Sequence, residues 1–145
     1  MNRVWMFPAL LVLCGALAAN SLLSRENPVA AVAFFLLFAA LAVINSPLIF
    51  PKSITEAQAQ EADDGRPVVY WRPTCKYCIR LRIRLGSDAR QLHWVNIWTD
   101  PAAAARVRAA NDGNETVPTV FIAGHPYTNP ETSWLKAQLT SPTAQ

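Results

Sequence analysis

The chain is 145 residues long, 52% apolar, with a formal net charge of +3. So mild a basic balance does not call for a nucleic-acid partner. The charge is also uneven, because the first fifty residues hold only Arg3, Arg25 and Glu26. The rest of the chain has the composition of a soluble domain of roughly eighty residues, enough for one small core.

Residues 4–23 form an apolar run broken by Pro8 and Asn20, and residues 29–50 a second one broken by Asn45, Ser46 and Pro47. Each is about the twenty residues that a helix needs to cross a bilayer. Ser24-Arg25-Glu26-Asn27-Pro28 makes a short polar turn between them. The expectation is a transmembrane helical hairpin over residues 1–51, with spans at about 4–23 and 29–50 and Trp5 as an interfacial anchor. The chain would then be a multi-pass protein of the cell membrane, touching lipid through residues 4–50. A cleavable secretory signal is the competing reading, with Ala16-Leu17-Ala18 as the small-residue site. Against it, the run is long and its charged start is only Arg3 and the amino terminus. Cys14 follows Leu13 rather than a small residue, so it reads as packing in lipid and not as a lipoprotein cysteine. Arg3 and Lys52 flank the outer ends of the hairpin, against Arg25 in the turn, which favours a cytoplasmic C-terminal domain.

Residues 52–65 are polar and read as a linker. From residue 66 to 145 the pattern alternates. Val68–Trp71 is a buried strand. A helix starts at Cys75 and stops before Gly86. Residues 92–97 form a second strand. Asp100-Pro101 opens a second helix, with proline at its favoured first position, and Asn111-Asp112-Gly113 ends it. Thr119–Ile122 is a third strand, and a turn at Ala123-Gly124-His125 leads to a fourth at 126–128. Asn129 is placed to cap a last helix beginning at Pro130. The order is βαβαββα, a small mixed α/β fold. Ile79 to Leu85 alternates strictly, which is a strand signature, yet a helix is expected there because a reactive C-x-x-C needs a helix N-terminus and arginines can snorkel.

Pro73-Thr74-Cys75-Lys76-Tyr77-Cys78 comes just after the first strand. Two cysteines at this spacing on a strand-to-helix junction point to thiol–disulfide exchange. At the helix N-terminus Cys75 faces unpaired N–H groups, and Lys76 and Arg72 add positive charge, so Cys75 is the expected nucleophile. Cys78, one turn later and less exposed, is the expected resolving thiol. A zinc site would need two further ligands, and His93, His125 and Cys14 offer no pair with ligand spacing, so neither a metal nor a bound cofactor is expected. Thr116-Val117-Pro118 enters the third strand. A cis bond before Pro118 would turn the Val117 backbone toward the cysteines, where an extended thiol substrate could bond to it. Arg80, Arg82 and Arg84 read either as a solvated helix face or as a patch that attracts anionic substrates or lipid headgroups. Tyr70, Trp71, Trp94 and Phe121 read as core, Trp98 and Tyr77 as exposed.

With these residues in hand, residues 67–139 resemble a glutaredoxin of the thioredoxin superfamily, and among those the actinobacterial mycoredoxins. The resemblance rests on Cys75-Lys76-Tyr77-Cys78-Ile79-Arg80-Leu81, on Asn111-Asp112-Gly113-Asn114-Glu115-Thr116-Val117-Pro118-Thr119-Val120, and on Thr128-Asn129-Pro130. It implies a thioredoxin-like α/β fold and a cis peptide before Pro118. It also implies reduction of mixed disulfides between proteins and mycothiol as co-substrate, with glutathione second, served by a reductase for that thiol. The thiol-binding residues it implies are Arg72, Lys76, Tyr77, Thr116, Val117, Pro118, Thr128 and Asn129. Two departures stand out: Lys76-Tyr77 replaces the frequent Pro-Tyr pair, and typical soluble members lack the expected N-terminal membrane hairpin. The competing functions are a thioredoxin-like dithiol reductant of protein disulfides, and an outward-facing disulfide-forming or scaffold module.

Overall fold

In the computed structural model residues 3–62 and 64–140 are described; residues 1–2, 63 and 141–145, which belong to the expected hairpin, linker and domain, lie outside them. The chain divides into two compact units, residues 1–49 and 50–145.

The first unit is a pair of apolar helices, α1 (Arg3–Leu23) and α2 (Pro28–Ile44). Asn27 starts α2 by accepting a hydrogen bond from the Ala30 N–H at 3.2 Å, and Pro28 takes the first position, where its missing N–H costs nothing. The helices approach closely at Gly15, where a Cβ would lie 2.6 Å from the Phe38 Cβ. Among the described residues one helix, at residues 5–23, is long and apolar enough to cross a membrane; α2, at 17 residues, is shorter. The second run therefore does not continue as helix to residue 50. Asn45 ends it by folding its side-chain amide onto the Leu41 carbonyl at 2.8 Å, and the Ser46 hydroxyl bonds the Val43 carbonyl at 2.8 Å. Pro47 then begins a single short 3₁₀ turn.

The second unit holds α3 (Glu56–Glu61), β1 (Val68–Trp71), α4 (Lys76–Leu85), β2 (His93–Asn96), α5 (Pro101–Ala110), β3 (Thr119–Ile122), β4 (His125–Thr128) and α6 (Thr132–Thr140). From β1 onward this is the βαβαββα order read from the sequence. The sheet runs β2-β1-β3-β4, with β1 and β2 parallel and the other two pairings antiparallel. Both central strands are buried along their length, apart from a half-buried Ile122 at the end of β3. Tyr70, Trp71, Trp94 and Phe121 are core, while Trp98 and Tyr77 are each 45% exposed.

Residues 52–62 are not a free linker. Thr55 and Gln58 form a reciprocal capping box that starts α3. Phe50 stacks on Trp71 with ring centroids 3.8 Å apart, the Ser53 hydroxyl accepts from the Trp71 indole at 3.0 Å, and the Ile54 N–H donates to the Trp94 carbonyl at 2.9 Å. Glu56 is buried and accepts from the Tyr70 hydroxyl at 2.6 Å and from Arg106 at 3.2 Å. Polar composition concealed this strap, because its bonds are made by a few residues facing the domain.

The last helix also starts later than expected. Asn129 takes a left-handed conformation, φ 48°, and its N–H bonds the Pro118 carbonyl at 2.7 Å. The first helical bond runs from the Leu135 N–H to the Glu131 carbonyl. Asn129 is thus spent on the turn and does not cap α6.

Candidate active site

The cysteines are positioned by the turn from β1 into α4. Pro73 is buried, Thr74 adopts φ 63°, and Cys75 is extended in the N-cap position of α4. Its sulfur does what a capping Ser or Asp oxygen usually does, accepting the Cys78 N–H at 3.2 Å. Cys75 is half-buried and Cys78 fully buried, and both are free thiols.

This geometry separates their acidities. Hydrogen bonding from the Cys78 side chain, then from the Cys78 and Tyr77 N–H groups, then the charge of Arg72, lower Cys75 to about 6 against the opposing effect of burial. Burial, and then the hydrogen bond and charge of Cys75, push Cys78 up. The Lys76 ammonium sits 5.0 Å from the Tyr77 ring centroid, so the nearby cation that acts on the sulfur is Arg72.

The Val117–Pro118 peptide is cis, and the Cys75 thiol reaches the Val117 carbonyl at 3.4 Å. Among the described residues the Val117 N–H has no hydrogen-bond partner. The Asn129–Pro118 bond brings the turn before α6 to the same place. Cys75, Cys78, Val117, Pro118 and Asn129 are therefore drawn together. Thr116 is exposed and uses its carbonyl to hold the Thr119 hydroxyl at 2.7 Å. Thr128 turns its hydroxyl onto Asn111 at 2.6 Å, a structural use that the sequence did not suggest. Asn111 also bonds the Val107 carbonyl and the Thr119 hydroxyl, tying α5, β3 and β4 into one support. Arg80 and Arg84 line a cleft with Tyr77 and the start of α6, whereas Arg82 bends back to the Gly86 carbonyl at 3.1 Å. The arginine run is thus divided, not one patch. His93 pairs with Asp64 at 2.9 Å.

The glutaredoxin family model matches residues 68–126. A protein named "Putative glutaredoxin" from Mycobacterium tuberculosis strain H37Rv is 40% identical over 72 residues, which is 49% of this chain and 86% of its own length. Its namesake from strain CDC 1551 matches equally. The chain belongs to the glutaredoxin family. This glutaredoxin is accordingly a thiol–disulfide oxidoreductase, and its four-stranded sheet with flanking helices is the thioredoxin-like α/β fold. The family match begins at β1, so the strap and the apolar helices are additions outside it.

Proposed function

We propose that this glutaredoxin is anchored in the cell membrane by its two apolar helices, residues 4–44, and reduces mixed disulfides between proteins and a low-molecular-weight thiol, mycothiol first, on the cytoplasmic side. The observation that carries the reading is the N-cap sulfur of Cys75, half-exposed beside the cis Val117–Pro118 peptide, with Cys78 buried behind it. The Cys75 thiolate attacks the small thiol's sulfur in a protein–S–S–R disulfide. That S–S bond breaks, the protein sulfur leaves and takes a proton, and Cys75 now holds the small thiol as the mixed disulfide Cys75–S–S–R. A second RSH, as thiolate, attacks the R sulfur, giving RSSR and free Cys75. A reductase for RSSR closes the cycle. Arg72, Lys76, Tyr77, Thr116, Val117, Pro118, Thr128 and Asn129 are the proposed thiol-binding groups. Of these the unpartnered Val117 N–H is the best placed, since it can donate to an extended ligand. Mycothiol is favoured over glutathione by the resemblance alone.

Cys78→Ser separates this reading from a dithiol reductant. The proposed cycle needs no second cysteine, so the variant keeps within about tenfold of the native rate on small-thiol adducts and loses reduction of protein disulfides altogether. If both reactions vanish together, the dithiol reading replaces this one.

The anchor has its own test. Leu17 is 63% and Val29 80% exposed on the two apolar helices, surface that water would not favour. The full chain should stay with membranes through high salt and alkaline carbonate washes and leave them only in detergent. Release by carbonate would remove the anchor from the proposal and leave the chemistry standing. Reporters fused to the C-terminus should be active only inside the cell.

A further inference from the structure

The strap grips the end of β1 from both sides. Tyr70 and Trp71 are the last two residues of that strand, so their side chains point to opposite faces of the sheet. On one face Phe50 stacks on Trp71 and meets the Trp94 ring edge-on at 5.6 Å, while the Ser53 hydroxyl accepts the Trp71 indole N–H at 3.0 Å. On the other face Glu56 accepts from the Tyr70 hydroxyl at 2.6 Å and pairs with Arg106, whose guanidinium lies over the Phe121 ring. Between these two holds Ile54 is bridged to Val95 on the outer side of β2. Residues 50–56 therefore pass around the edge of the sheet and clasp it. The match to the family model begins at residue 68, so the clasp is this chain's own addition.

The clasped pair stands immediately before the catalytic turn. The bond from the Ile97 N–H to the Trp71 carbonyl, 3.0 Å, ties the strand end to β2. Arg72 comes next, then the buried Pro73, then Thr74 at φ 63°, then Cys75. A left-handed backbone is unfavourable for a β-branched residue and persists only where the chain is fixed on both sides of it. The N-cap of α4 fixes the Cys75 side. The clasp fixes the Trp71 side. The Arg72 guanidinium makes no ion pair or hydrogen bond among the described residues, so the strand end decides where its charge stands. Hydrogen bonding from the Cys78 side chain does most to lower Cys75, and the Arg72 charge adds to it. Lys76, the other cation nearby, is turned over the Tyr77 ring.

We infer that the strap is a positioning device for the nucleophile: Phe50 and Ser53, acting through Trp71, set the place of Arg72 beside the Cys75 sulfur. The inference rests on Cys75 being the attacking thiol, and on no particular small thiol. It makes Phe50 and Ser53 positioning residues, which touch neither substrate nor sulfur yet set how much of Cys75 is thiolate.

The test follows iodoacetamide alkylation against pH in the full chain in detergent, read at the Cys75 peptide by mass spectrometry. Arg72→Gln should raise the midpoint by about half a pH unit, as the loss of one partly screened charge would. Ser53→Ala should raise it by part of that, and Phe50→Leu with Ser53→Ala by nearly all of it. Ser53→Thr keeps the accepting hydroxyl and should keep the native midpoint. Once Arg72→Gln is present, the strap changes should add nothing, because both act through one charge. Release of a small thiol from a peptide adduct should follow the same course. In the strap double variant it falls about twofold at pH 6 and is unchanged above pH 8, whereas a chain merely loosened would lose rate at every pH. An unmoved midpoint in the strap variants, a shift that adds to that of Arg72→Gln, or a loss equal at all pH values overturns the inference. If near-ultraviolet circular dichroism shows the double variant unfolded, Ser53→Ala decides alone, since it removes a single hydrogen bond. A native midpoint at the ordinary cysteine value removes the nucleophile reading itself. A low native midpoint that Arg72→Gln moves and the strap changes do not removes the strap's part alone.

Discussion

Cys75→Ser should bring small-thiol release down to the uncatalysed rate, a loss of at least about a thousandfold, because the redox unit, residues 50–145, has no other accessible cysteine. Cys78 cannot substitute, being fully buried and shifted toward the protonated thiol. The same contrast sets the pH dependence. Cys75 is lowered to about 6. Its thiolate is therefore fully formed above that pH and lost below it, so alkylation should fall about tenfold per pH unit on the acid side. The sign also fixes stability. A depressed thiol stabilises the reduced, folded chain above the ordinary cysteine value of about 8.5, and that stabilisation fades as pH falls toward 6. The largest cause is hydrogen bonding from the Cys78 side chain. Cys78→Ala should accordingly move the Cys75 midpoint upward, whereas Cys78→Ser, which keeps a donor, should move it less. Measuring alkylation rate against pH for the three chains decides this. Midpoints at the ordinary cysteine value in all of them would contradict the assignment of Cys75 as the nucleophile.

The second large effect concerns the strap. A fragment of residues 50–145 should fold, while residues 66–145 should be marginal or unfolded. The shorter piece strips the Phe50 ring from Trp71 and leaves the Tyr70 hydroxyl without Glu56. Losing one buried aromatic contact costs about 2–3 kcal/mol, and an orphaned buried hydroxyl about 1–3 more. Together these approach the whole stability of a small domain. Within the full chain, Glu56→Ala should cost about 3 kcal/mol, since it also abandons the half-buried Arg106. Glu56→Gln should cost less, because an amide oxygen still accepts from Tyr70. Urea midpoints of the four proteins test this, and equal midpoints for the two fragments would show the strap to be ornamental.

Much of the redox domain could be read from the chain. The continuous apolar run at Val68–Trp71 marks a strand buried on both faces, and Asp100-Pro101 marks a helix start by its own chemistry. The C-x-x-C assigned α4 against its misleading alternation. The structure explains the alternation: Arg82 reaches the Gly86 carbonyl, closing the helix C-terminus, while Ile83 lies exposed. What escaped was long-range. Thr55-Glu56-Ala57-Gln58 carries a capping-box signature, but nothing local says that Glu56 meets Tyr70, fourteen residues on. The apolar count ran the second helix to residue 50 because it weighed Ile49 and Phe50 above the capping of Asn45 and Ser46. Asn129-Pro130 looked like a cap and first turn, yet the bond to Pro118 commits Asn129 to a different job. Which of the eight proposed thiol-binding residues share one place depended on such contacts too.

The two outer strands carry a consequence for how protein substrates are met. Ile54 occupies part of the free side of β2, and β4 is exposed along its length with Pro126 in its middle, where a donor is missing. Neither rim can take up a visiting strand as a regular ladder. Beside Cys75, a visitor finds one peptide group, at Val117. A single rung fixes direction and distance but reads almost nothing of the side chains on either side of it. On the proposed function, many different polypeptides could then present a modified cysteine here, and discrimination would fall to what is attached to that cysteine.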